Sequence, residues 1–193
     1  MFKISQRISD HLIQAVFIFA SVFLAFWLNA YLMDQNEKQA AKIAQEAIIE
    51  EMNWNLKILE KWTPYHKELF DKAELLVFNE LDTIKAFNPG RIVDPDKGII
   101  REALIDNAWN LLNQNQVKMD LHSKMEINRI YNVNKAIFEI TDFLKQRETL
   151  REDFVKENYI MFLRLLGELY GQESAMIREQ KLVLTEIEKK ITD

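Results

Sequence analysis

Residues 12–33 read LIQAVFIFASVFLAFWLNAYLM, 22 consecutive positions without a charged side chain. As a helix they span about 33 Å, enough to cross a hydrocarbon core about 30 Å thick. Charges flank the run on both sides, with Lys3, Arg7 and Asp10 before it and Asp34, Glu37 and Lys38 after it. Trp27 and Tyr31 stand near one end, where amphipathic rings favour the headgroup level. A cleaved signal peptide has a shorter apolar region and a small-x-small cleavage site. Here the run closes on Trp27-Leu28-Asn29-Ala30-Tyr31, which is no such site. A core helix would show a polar face, whereas only Gln14, Ser21 and Asn29 interrupt this one. The run reads as a retained transmembrane anchor.

The flanks also suggest an orientation. Lys3, Arg7 and the terminal amine stand close together on one side, while Lys38 and Lys42 on the other are spread among acids. Acidic residues count for little in the positive-inside rule, so the basic excess places residues 1–11 in the cytoplasm. Residues 34–193 are then expected outside it. The chain has no cysteine, which fits either compartment.

Beyond the anchor the chain is long enough for one domain with a proper core. Its 193 residues include only 4 Gly and 3 Pro, leaving few sites for tight turns. Long runs rich in Leu, Ile, Ala, Glu, Lys and Gln favour helix throughout. The net charge is −5, and the anchor and the residues before it hold only Lys3, Arg7 and Asp10, so the rest is acidic. An acidic body without a basic face argues against nucleic acid and against an anionic lipid surface as its partner. The expected fold is all-α: one N-terminal transmembrane helix, residues 12–33, followed by an extramembrane bundle of about four to five helices.

Taken in order, the anchor continues without Gly or Pro into a helix expected to end near Trp62. Ala41, Ala44, Ile48, Met52, Leu56 and Leu59 fall at steps of three or four and form one stripe. Thr63-Pro64 then reads as the start of a second helix, a hydroxyl at the cap and Pro at the first helical position. That helix is expected to reach about Phe87, before Asn88-Pro89-Gly90, with a loop through Asp94-Pro95-Asp96-Lys97-Gly98. A short third helix is expected over 99–112, with Ala103, Leu104, Trp109 and Leu111 on its apolar side. Asp120 caps a fourth, over 120–147, whose buried face runs through Ile127, Ile130, Tyr131, Ile137, Phe138 and Leu144. In the last segment, Tyr159, Leu163, Leu166, Tyr170, Glu173 and Ile177 begin a seam that continues through Gln180, Leu184, Ile187 and Ile191. Steps of four and three make it heptad-like, and it suits either a helix packed on its own domain or self-association.

Several short motifs carry a resemblance. Phe23-Leu24-Ala25-Phe26-Trp27-Leu28-Asn29 leads into Gln45-Glu46-Ala47-Ile48-Ile49-Glu50-Glu51-Met52, and Trp62-Thr63-Pro64-Tyr65-His66-Lys67-Glu68-Leu69 follows. Leu104-Ile105-Asp106-Asn107-Ala108-Trp109 and Ile177-Arg178-Glu179-Gln180-Lys181-Leu182 complete the order. In this order the chain resembles the DUF6090-like group of bacterial single-pass membrane proteins. It departs from that pattern after Trp109, where Asn113-Gln114-Asn115 replaces the Ala-Thr-Gly often found in such proteins. The resemblance covers most of the chain. It implies a single-pass protein of the bacterial inner membrane, in a group common in Gram-negative bacteria, and it implies no activity; the orientation read from the flanks would make the body periplasmic.

A search for chemistry finds no template. His11, His66 and His122 each lack a Glu three residues earlier, so the Glu-x-x-His pair of di-iron bundles is missing. Without cysteine there is no thiolate metal site and no cysteine nucleophile. His122 and Ser123 are helical neighbours and point about 100° apart, a poor base–nucleophile pair. Gly167-x-x-x-Gly171 sits in an amphipathic helix rather than after a strand, and suits helix packing or a break near Tyr170. His66, in the first turn of the expected second helix, reads as a surface residue.

No catalytic, cofactor or metal residue is assigned, and no enzymatic activity is expected. Asn29 and Gln180 are the expected interaction residues, the first as an amide in an apolar span, the second as a polar member of the seam. Trp109, Asp106 and Pro64 are expected to be structural. The expected function is that of a membrane-anchored accessory or scaffold protein whose bundle binds a protein partner or itself. The alternatives are a ligand-sensing bundle that signals through a partner and a small subunit of a larger membrane complex.

Overall fold

The computed structural model describes residues 6–80, 90, 92–99, 102–114, 117–149 and 156–192. Among these residues it is all-helical, with α1 (Gln6–Glu80), α2 (Asn107–Gln114), α3 (Leu121–Thr149) and α4 (Lys156–Thr192). The first half of α1 contains an 18-residue window of mean hydropathy 2.1 with none of it buried, long and apolar enough to cross a membrane. Its second half is the spine of the bundle. One helix thus holds an unburied apolar stretch and a buried packing face.

α4 packs between α1 and α3, and α2 lies on α1. The pairing of Tyr159 with Ala73, Glu173 with His66 and Gln180 with Met52 shows α4 running antiparallel to α1. The stripe expected on α1 is the buried one, with Ile48, Met52 and Leu59 at 1% exposure or less. α3 contributes Ile127, Ile130, Tyr131, Ile137 and Leu144, and α4 contributes Tyr159, Leu166, Leu184 and Ile187. Phe138 and Leu111, expected inside, are exposed.

Two expected boundaries differ. α1 runs through Thr63-Pro64 without a break, with Pro64 inside the helix rather than at a new start. Proline removes one i→i−4 bond and in a helix interior costs about 3 kcal/mol. Glu60 and Pro64 are both exposed, so the carbonyl left without its donor lies where water reaches it. Either side of it, Leu59, Trp62, His66, Leu69 and Ala73 are buried and hold both halves to one axis. Burial of that face outweighs the local stop signal. The expected end of the second helix near Phe87 lies outside the described residues.

The second difference is the expected third helix. Residues 102–106 are not helical, and α2 begins only at Asn107. Ala103 is exposed. The loop before this stretch is as expected: Asp94 accepts the N–H groups of Lys97 at 3.1 Å and Gly98 at 2.8 Å, and Gly98 adopts φ 62°. A left-handed φ of that kind is open to glycine at little cost. Asp120 caps α3 as expected, its carboxylate accepting the Ser123 N–H at 2.9 Å.

α4 is unbroken at Tyr170, and its two glycines differ. A Cβ on Gly167 would meet the Phe70 ring at 2.8 Å, so Gly167 sets how closely α4 approaches α1, while a Cβ on Gly171 would meet nothing within 4 Å. Alanine in place of an exposed helical glycine gains about 0.8–1 kcal/mol. Chemical unfolding followed by circular dichroism should show Gly171→Ala stabilised by about that amount. Gly167→Ala should lose that gain or fall below wild type, since the Phe70 ring must shift to admit the methyl group. Equal gains at both positions would contradict the close α1–α4 contact.

Candidate functional site

The chemistry of the bundle lies along one line of α1: Glu51, Asn55, Trp62, Tyr65 and His66. Glu51 serves α2, and the others face the non-helical strap, described over residues 92–99 and 102–106, whose backbone lacks the partners a helix would give it. Asn55, fully buried, donates through Nδ2 to the Ile105 carbonyl at 2.7 Å and accepts the Ile105 N–H at 2.8 Å. One side chain thereby satisfies both polar groups of one residue, as a neighbouring strand would. The Tyr65 hydroxyl accepts the Asp94 N–H at 3.1 Å. Ile92, Val93 and Ile99 of the strap are buried.

Glu51 performs a similar service for α2. It is 6% exposed, and its carboxylate accepts the Ala108 N–H at 2.8 Å and approaches the Trp109 N–H at 3.5 Å. These are among the orphan donors of the first turn, so a distant acid caps the helix from the side. Tyr131 of α3 donates its hydroxyl to the same carboxylate and stacks on Trp109, with centroids 5.4 Å apart and planes 3° from parallel. Burial first, and then the bond to Glu51, raise the Tyr131 hydroxyl above its ordinary value of 10.0.

His66 forms the other centre. Its ring is fully buried, with Nε2 at 2.6 Å from the Ile99 carbonyl and Nδ1 at 2.8 Å from both carboxylate oxygens of Glu173, which is itself 1% exposed. A carbonyl only accepts, so Nε2 carries a hydrogen. Nδ1 faces both oxygens of the acid, so ring and carboxylate serve as each other's partners in the core. Removing either member would leave the other buried without its partner, at a cost of about 1–3 kcal/mol. The cavity bordered by Glu173 and Trp62 measures about 30 Å³, a water's volume and not a metabolite's. The Trp62 Nε1, buried without a partner, belongs to the same wall.

The expected site residues are distributed as follows. His66 is in the core, not on the surface, because α1 continues through Pro64 and turns its buried face toward α4. Gln180 is fully buried and donates to the Met52 carbonyl at 2.8 Å, so it serves a contact within the chain. Both polar members of the α4 seam, Glu173 and Gln180, thus meet α1. Trp109 is 7% exposed, in the core beside Tyr131. Asp106 is exposed, and its carbonyl accepts the Asn110 N–H at 3.0 Å at the head of α2. Asn29 is exposed on the apolar half of α1, its Nδ2 donating to Met33 Sδ at 3.8 Å. His11 and His122 are exposed. Among the described residues no cluster of His, Cys, Asp or Glu is placed to hold a metal ion.

Asn55 carried no motif in the sequence, and the paired acids Glu50-Glu51 read from sequence as a solvated face; Glu50 is exposed, but Glu51 is buried, because it turns toward the head of α2. The signal that marks them is their place on an otherwise apolar stripe, between Ile48, Met52 and Leu59. A further groove of about 410 Å³ runs beside Trp109 and Tyr131, with Asn110 and Lys135 along it. Asn134 borders it, 6% exposed, with neither amide atom partnered in the protein.

Comparison with known families, curated proteins and solved structures returned no match.

The Tyr131 shift fixes a pH dependence. The folded state keeps that proton to a higher pH than the unfolded chain, so the stability it contributes is complete below pH 10 and declines as pH rises past it. Tyr131→Phe should cost about 1.5–3 kcal/mol at neutral pH, the value of a hydrogen bond to a charged group. It should also make the fall in stability between about pH 9 and 11 shallower. Urea titrations of both proteins across that range test this. Parallel pH profiles would show Tyr131 ionising freely.

Proposed function

We propose that the chain is a single-pass inner-membrane protein of bacterial type, with its N-terminus cytoplasmic and its helical body periplasmic. The body mediates protein–protein interaction or self-association. The observation that carries this reading is the continuity of α1, which is at once an unburied apolar span and the spine of the core. A rigid helix of this kind fixes the body's orientation relative to the bilayer, which suits a scaffold. The polar centres support it too: Glu51, Asn55 and His66 use hydrogen-bonding capacity on the protein's own backbone, and the space beside Trp62 and Glu173 is too small for a substrate. The resemblance of the sequence to the DUF6090-like group agrees in location and build.

A second reading, a ligand-sensing body that signals through a partner, is favoured by the groove beside Trp109 and the unpartnered amide of Asn134. Its 410 Å³ falls within the range of small-molecule sites. As a small subunit of a larger complex, the chain would use the same span as its docking element.

With no native cysteine to interfere, Asp96→Cys in intact spheroplasts should react with an impermeant thiol reagent, and Lys3→Cys only after lysis. The reverse pattern would place the body in the cytoplasm. Native mass spectrometry in mild detergent should show a species above the 22.9 kDa of one chain. A single chain carrying a small molecule would favour sensing, and a bare single chain would contradict assembly.

A further inference from the structure

α1 carries two kinds of residue in the wrong solvent. Asn29 places an amide in the apolar span, with only a weak thioether acceptor, Met33 Sδ, at 3.8 Å. Beyond the span, Ile43 is 58% exposed to water. Both lie on one line. Asn29, Met33, Asn36, Ala40, Ile43 and Ala47 follow each other by alternating steps of four and three, and all are exposed except Ala47, which is half-buried. A spacing of 3.5 residues keeps such a line facing a second helix wound around the first with a left-handed supercoil.

We propose that this line is the contact between two copies of the chain, packed α1 against α1 in parallel about a two-fold axis normal to the membrane. The inference rests on the self-association reading above and specifies its face and register. Two copies inserted with the same topology can pair their anchors only in parallel, so each residue meets its own counterpart. Asn29 then faces Asn29, and Asn36, one heptad on, faces Asn36. An amide is both donor and acceptor, so each pair satisfies itself, and polar residues in such a seam fix register. In lipid the apolar positions give no drive of their own, and the amide pair supplies it. In water, Ala40, Ile43 and Ala47 supply apolar burial.

The charges leave the line free. Lys38 pairs with Asp34, Lys42 with Glu46, and Glu37 with Lys118, each within one chain. Between Met33 and Ala47 the line itself has no charge. Glu50, the next position, is exposed and ends the line, because two facing carboxylates would repel. Ala40, Ile43 and Ala47 also form one wall of a groove of about 560 Å³, whose other wall includes Leu111 of α2 at 57% exposure. A second helix lying on this wall covers Ile43 and Leu111 together.

The absence of cysteine allows a direct test in the full chain. Single cysteines are placed at Ala40, Ile43 and Ala47 on the line and at Lys38 and Lys42 off it, then oxidised in isolated membranes. The three on the line should form disulfide-linked dimers, and the two off it few, since a disulfide needs Cα atoms within about 7 Å. Asn29→Leu should raise the dimer dissociation constant about threefold to thirtyfold in detergent. Even cross-linking at all five positions, or a maximum at Lys38 or Lys42, would overturn the proposed face. A larger species in mass spectrometry without cross-links on the line would overturn the second copy as occupant and leave assembly with another partner. A single chain would remove both readings.

Discussion

The fold depends on hydrogen bonds that α1 side chains make to backbone groups outside a helix or left unpaired at the head of α2. A strap without secondary structure exposes unpaired N–H and C=O groups, and burying one unpaired costs about 1–3 kcal/mol. Asn55, His66, Glu51 and Tyr65 supply partners at Ile105, Ile99, Ala108 and Asp94, at spacings that place them along one line of α1. This is what lets Ile92, Val93 and Ile99 enter the core without regular structure. It also explains the burial of acids in so apolar a bundle. Glu51 faces N–H donors and a hydroxyl, Glu173 faces an imidazole, and neither carboxylate is left alone.

The sequence carried the larger pattern because burial and period agree over long segments. The stripe from Ala44 to Leu59 and the seam from Tyr159 to Ile187 are legible, since a core face must recur every three or four residues. Even the polar interruptions of the seam had a meaning, as Glu173 and Gln180 bond to α1, as the hydroxyl of Tyr159 also does. Where local rules and tertiary packing disagreed, packing decided. Thr63-Pro64 is a good helix start, yet the buried residues on both sides keep the helix whole. The stretch before Trp109 has apolar residues at helical spacing, yet its backbone is non-helical and both polar groups of Ile105 are taken by Asn55, 50 positions away. No local window contains that contact. His66 was misplaced for the same reason: its surroundings followed from a helix boundary that does not exist.

α1 does not end between the apolar stretch and the body: it is one helix from Gln6 to Glu80. Residues 34–40 expose every side chain, and the Glu37–Lys118 pair ties this part of the helix to the segment after α2. The strap and α2 are fastened to α1 by side chains rather than by chain connectivity.

Hydrogen exchange on the full chain tests the central claim most directly. The N–H groups of Ile105, Ala108 and Trp109 should exchange at least on the order of a thousand times more slowly than in an unstructured peptide, although the strap around Ile105 is not helical. Asn55→Ala should release Ile105 while leaving the N–H groups of α4 protected. Exchange of Ile105 at the rate of a free loop in the wild-type chain would contradict the account, because the strap would then not be held by α1.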